Sequence, residues 1–183
     1  MSVWEEAAAL TIFGPPSFLS SFRAKLLQPE ADFQPSIFVD YLIGCKGCGS
    51  EEFKVLCFPK TVPDPSPYHG FKPGEILMRP PHRLQCSACG TTSLLFDPQA
   101  HGYDGVAGNG TSYELGDGQD APAGGDDGKF RVVIGLGYSF EVEDLRNSAK
   151  EIDCPPSDLF DSFTLHGTST VGKDNMEISY ECA

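Results

Sequence analysis

Residues Cys45-Lys46-Gly47-Cys48-Gly49 and Cys86-Ser87-Ala88-Cys89-Gly90 are two matching C-x2-C-G knuckles, with 37 residues between Cys48 and Cys86. Two intervening residues let both thiolates of a pair meet one ion from a tight turn, and the trailing glycine lets the backbone curl beneath the sulfurs. Two such pairs complete a tetrahedral shell, so Cys45, Cys48, Cys86 and Cys89 are the candidate ligands of one zinc ion. A shell filled by protein leaves no position for water or substrate, and such a metal holds the fold instead of doing chemistry. Iron of the rubredoxin type suits the same four sulfurs, so the ligands alone do not separate the two metals. A redox C-x-x-C of the thioredoxin type needs its cysteine at a helix start, and neither pair opens a helical pattern.

The flanks of the knuckles read as strands. Ile37-Phe-Val-Asp-Tyr-Leu-Ile43 leads into the first and Glu52-Phe-Lys-Val-Leu-Cys-Phe58 leaves it; Arg83-Leu-Gln85 and Thr91-Thr-Ser-Leu-Leu-Phe96 frame the second. Strand, knuckle, strand, repeated, defines a zinc β-ribbon over residues 37–96. Between the knuckles, residues 59–81 hold seven of the chain's 15 prolines. Proline continues neither helix nor central strand, so this reads as a surface loop.

The four cysteines resemble those of the broad zinc-ribbon group and, more loosely, of the β-tent group that includes yippee-like proteins and type B methionine sulfoxide reductases. The resemblance covers about residues 37–96. The reductase pattern also places a catalytic cysteine on a C-terminal strand after an Arg-Phe or Arg-Tyr step. Cys182 has no basic residue in its flank, Ser179-Tyr-Glu-Cys-Ala183. Metal ligation is therefore what the resemblance implies here, at Cys45, Cys48, Cys86 and Cys89 only.

Outward from the ribbon, residues 1–36 read as a helical lead-in. Ser2 with Glu5 forms a possible capping box, and Ser17 after Pro15-Pro16 is placed to cap a helix carrying Phe18, Leu19, Phe22 and Leu26 on one face. Residues 97–128 hold nine glycines and seven acids with no Lys or Arg, and read as an acidic, Gly-rich loop. In the β-rich part, 129–183, Phe130, Val132, Ile134, Leu136, Tyr138 and Phe140 alternate with strict period two, the clearest strand of the chain. The other face carries Gly135 and Gly137, open to close approach by a neighbour. A helix over 143–150, a turn capped at Ser157 and a strand alternating Met176, Ile178, Tyr180 and Cys182 complete the reading, with His166 in a turn. The fold class is α+β, mainly antiparallel, in a single domain spanning 1–183.

Charge narrows the function. Thirteen Lys and Arg stand against 26 Asp and Glu, a net charge of −13. Nucleic-acid binding relies on basic surfaces that neutralise phosphates, so a protein partner is expected and DNA or RNA is not. No apolar run approaches the ~20 residues that span a bilayer. Seven cysteines, an odd number, point to a reducing compartment, and a soluble, cytoplasmic protein is expected.

One segment suggests chemistry. In Asp97-Pro-Gln-Ala-His101-Gly-Tyr103-Asp104, Asp97 suits an N-cap, Pro98 the first helical position and Gly102 the position after the last, which together encode one capped turn. That grammar leaves His101, Tyr103 and Asp104 unexplained; read functionally they are a general base with acidic partners. Two functions follow: a non-catalytic zinc protein that binds another protein, or an enzyme built around His101, Tyr103 and Asp104. Of the remaining residues, His82 is a candidate neighbour of the metal site, Cys57 a core residue and Cys154 an exposed one.

Overall fold

The computed structural model describes residues 14–27, 37–67, 72–108, 116, 120–123, 128–139, 141–171 and 175–181. The Ser2–Glu5 capping box, His69, Phe140, Cys182 and residues 109–115, 117–119 and 124–127 of the acidic Gly-rich stretch lie outside them. The fold is mainly antiparallel β: β1 (Phe22–Leu26), β2 (Ile37–Cys45), β3 (Glu52–Thr61), β4 (Ile76–Cys86), β5 (Thr92–Phe96), β6 (Ala121–Pro122), β7 (Phe130–Tyr138), β8 (Ser162–Ser169) and β9 (Met176–Glu181) make one curled sheet. Among the described residues, two helices, α1 (Gly102–Val106) and α2 (Val142–Ile152), and two 3-10 turns (Ser17–Ser21 and Pro156–Asp158) accompany it. No helix among the described residues is long and apolar enough to cross a membrane.

The central strand is β7, as its alternation predicts: Phe130, Val132, Ile134, Leu136 and Tyr138 all enter the core. One edge of β7 pairs with β8 from Phe130↔Ser169 to Gly137↔Ser162. The other edge is shared. β2 pairs down to Leu42↔Val133 and β3 resumes at Glu52↔Arg131, so residues 43–51 span on one side what Val132 alone spans on the other. The first knuckle is thus an excursion from a nearly continuous edge, and β2 and β3 are not a hairpin. The second knuckle does join a hairpin, β4–β5.

Curling brings distant strands together. Phe96 of β5 stacks on Phe163 of β8, ring centroids 4.0 Å apart at 4°, and Phe160 and Phe18 extend the aromatic cluster. The glycines of β7 admit cross-strand neighbours: a methyl at Gly137 would clash with Ser162 Oγ, and one at Gly135 with Thr164 Oγ1 at 2.5 Å.

Four readings need correction. The helix predicted from Ser17 is instead a 3-10 turn followed by β1, which pairs fully with β2 from Phe22↔Cys45 to Leu26↔Tyr41. Sheet pairing satisfies that backbone and overrides the helical spacing, leaving Leu26 42% exposed. The Pro-rich loop is shorter than 59–81, because Pro59 lies in β3 and Pro80 and Pro81 lie in β4. The last two are tolerated because they sit in a bulge: residues 80–82 oppose Cys57 alone between the pairs Leu56↔Arg83 and Phe58↔Arg79. His166 is not in a turn but in β8, on its exposed face. Cys154 is half-buried, just after Asp153 ends α2 in the left-handed conformation.

Candidate metal centre

Each knuckle is built from the same local bonds. Gly49 N–H donates to Cys45 O and Cys45 N–H to Ser50 O (2.9 and 2.8 Å); Gly90 N–H donates to Cys86 O and Cys86 N–H to Thr91 O (2.9 Å each). Gly49 and Gly90 take φ of +78° and +73°, where a side chain would be strained, so the trailing glycines are a backbone requirement. The pairing Phe53↔Cys86 and the bond from Ser87 N–H to Glu52 O (2.9 Å) set the two turns side by side.

All four Sγ atoms lie within 4.8 Å of one another, with Cys45–Cys89 at 3.6 Å and Cys48–Cys86 at 3.5 Å. Tetrahedral bonds of about 2.3 Å to zinc require sulfurs about 3.8 Å apart, so the cluster has the dimensions of one metal shell. Cys45 and Cys86 are buried while Cys48 and Cys89 are exposed. Protons are held unevenly across the quartet. The Thr91 hydroxyl and backbone draw Cys89 down to about 6. At Cys48 a backbone bond from Ser50 acts downward, but the thiols of Cys86, Cys89 and Cys45 outweigh it and hold the group up at about 12. A divalent cation displaces such protons, so metal loading releases acid.

The Asp97 turn forms as expected. Asp97 Oδ1 accepts from Gln99 N–H (2.9 Å), Asp97 O accepts from the N–H groups of Ala100 and His101, and Gly102 has φ +76°. His101 closes the same turn: its Nδ1 accepts from Asp97 N–H at 3.0 Å, and its ring stacks on Phe18 with centroids 4.8 Å apart. Burial lowers its pKa against the opposing pull of Asp97 and Asp158, which keeps the ring neutral as an acceptor. Tyr103 packs against the core, its N–H donating to Phe160 O, and Asp104 is buried on α1. His101 makes contacts with Asp97, Phe18 and Phe96.

Two polar features are buried in ways the sequence did not signal: Asp158, and His82, read from the sequence only as a candidate neighbour of the metal site. Asp158, buried on the second 3-10 turn, binds both the N–H and the hydroxyl of Ser17, pinning the N-terminal turn across the core. His82 is fully buried and its pKa falls to about 4 through desolvation. Below pH 6.5 the unfolded chain protonates this histidine while the folded one does not, so the group costs stability progressively down to about pH 4. At 1.36 kcal/mol per unit the loss is about 3 kcal/mol. Urea melts of wild type and His82→Gln between pH 7.5 and 4.5 should show the variant's stability falling by about that much less; parallel pH profiles would defeat the assignment.

Comparison with protein-family models, curated proteins and solved structures gives no match. The likeness to zinc ribbons therefore stands on the four cysteines themselves.

Proposed function

We propose that Cys45, Cys48, Cys86 and Cys89 hold one zinc ion as a structural centre and that the protein is a non-catalytic module that binds another protein in a reducing compartment. The observation that carries the metal reading is the closure of four thiols, from two bond-for-bond equivalent knuckles, into one cluster of metal-shell size. Four protein sulfurs leave no open coordination position, which favours a staple over a catalyst. The packing role of His101 supports the same side, because it accounts for that residue without chemistry. The net charge of −13 favours a basic partner over a nucleic acid.

Elemental analysis of the purified protein should find one zinc per chain, absent after Cys86→Ser. Iron would instead colour the protein. A metal-free wild type that is fully folded would overturn the structural-centre reading, and salt-sensitive retention on DNA or RNA at neutral pH would overturn the choice of partner.

A further inference from the structure

The two knuckles share their backbone but not their surroundings. At Gly90 a methyl group would meet nothing within 4 Å; at Gly49 it would meet Arg23 Nη1 at 3.2 Å and Cζ at 3.6 Å. Arg23 stands on β1 opposite Gly44, and a methyl at Gly44 would touch Arg23 Cβ at 3.5 Å. The side chain therefore passes two glycines and ends with its guanidinium on the turn that carries Cys45 and Cys48. In a chain with 26 acids, no carboxylate pairs with Arg23 among the described residues. Its neighbours in charge are also cations. Lys46 lies within the knuckle and donates to Ser20 O at 2.7 Å, and Lys25 lies two residues along the same strand face. The acids that directly follow the first knuckle are Glu51, which pairs with Arg131 at 3.1 Å, and the exposed Glu52. An arginine with no carboxylate partner among the described residues, placed over the first knuckle, has one evident counter-charge: four thiolates around a divalent ion keep two negative charges.

We propose that Arg23 is the counter-cation of the four-cysteine centre, its guanidinium laid against Gly49 to offset the charge that the thiolates retain around the metal. This rests on the zinc reading above. Arg23 is a positioning and charge-balancing residue, not a ligand, and it acts on metal retention. Groups beyond the ligands commonly change metal affinity about 10- to 100-fold. Because Arg23 is exposed, the lower end applies.

The test is zinc affinity by competition with a chromophoric chelator for wild type, R23Q, R23K and K25Q, at low and high salt. R23Q should bind zinc about tenfold more weakly, R23K within about threefold of wild type and K25Q as wild type. The R23Q deficit should shrink at about 1 M salt, where the screening length is ~3 Å. Cobalt-loaded R23Q should keep the absorption bands of a four-sulfur tetrahedral site, showing that the shell itself is intact. Equal affinities of R23Q and wild type, or an equal loss in K25Q, would overturn the proposal. Should R23Q fail to fold, R23K decides: affinity near wild type upholds it and a tenfold loss overturns it. A wild type that binds neither zinc nor cobalt fails the metal reading itself and is a distinct result.

Discussion

With zinc held as proposed, stripping the metal should unfold this protein. Structural zinc in small domains contributes an apparent 10–16 kcal/mol at neutral pH, about the whole stability of an ordinary domain, 5–15 kcal/mol. The position of the centre makes the full effect reach the sheet. The first knuckle is the excursion that lets one edge of β7 be shared by β2 and β3, and the second closes the β4–β5 hairpin. Without an ion, four thiols within 4.8 Å must share protons or repel as thiolates. Residues 43–51 then lose the anchor that holds both strands on β7. Excess chelator should abolish the cooperative thermal transition seen by circular dichroism, and zinc should restore it. Cys86→Ser should match the chelated wild type and show no further change on chelation. A chelated protein melting within about 5 °C of the loaded one would mean that the sheet does not depend on the centre.

The parts of the fold legible in the sequence are those whose signal is local. Knuckle spacing, trailing glycines and the period-two run of β7 each state their geometry within a few residues, and the structure returns all three. The Asp97 turn is of the same kind. The errors fall where a partner distant in sequence decides. Phe18, Leu19, Phe22 and Leu26 have helical spacing, yet pairing with β2 sets β1 as a strand. Phe163 and Leu165 alternate against Ser162, Thr164 and His166, a strand pattern that His166 and Gly167 disguise as a turn, although Gly167 is needed there because a side chain would press on Phe130 at 3.0 Å. Pro80 and Pro81 deny a strand by rule and are admitted by a bulge that only the register with β3 reveals.

The candidate site divides in the same way. The ligands announce themselves by spacing, whereas nothing marks Arg23 as the cation over the first knuckle or Asp158 as the latch for Ser17, 141 residues away. His101 invited a catalytic reading because the capping pattern left it idle. Its task, accepting the Asp97 N–H and stacking on Phe18, depends on the N-terminal turn folding back over the core.

Truncating the aromatic stack at the closure of the curled sheet should be the most damaging change that leaves the metal in place. Phe96 is fully buried and lies parallel on Phe163 at 4.0 Å, with Phe160 and His101 at 6.3 and 6.1 Å. It is the last residue of β5, so it joins the hairpin that carries the second knuckle to β8 on the other side of the core. Phe96→Ala should cost about 3–5 kcal/mol, the loss of transfer energy plus the cavity left behind. At roughly 2–4 °C per kcal/mol, the zinc-loaded variant should melt about 10 °C or more below wild type. Phe163→Ala should behave alike. The double variant should fall short of the sum by about 1 kcal/mol, because the stacking term and the shared cavity are lost once. Zinc content should stay at one per chain in all three, since no metal ligand is touched. A loss below about 1 kcal/mol for Phe96→Ala, or strict additivity with Phe163→Ala, would show that the two sides of the sheet do not close through this pair.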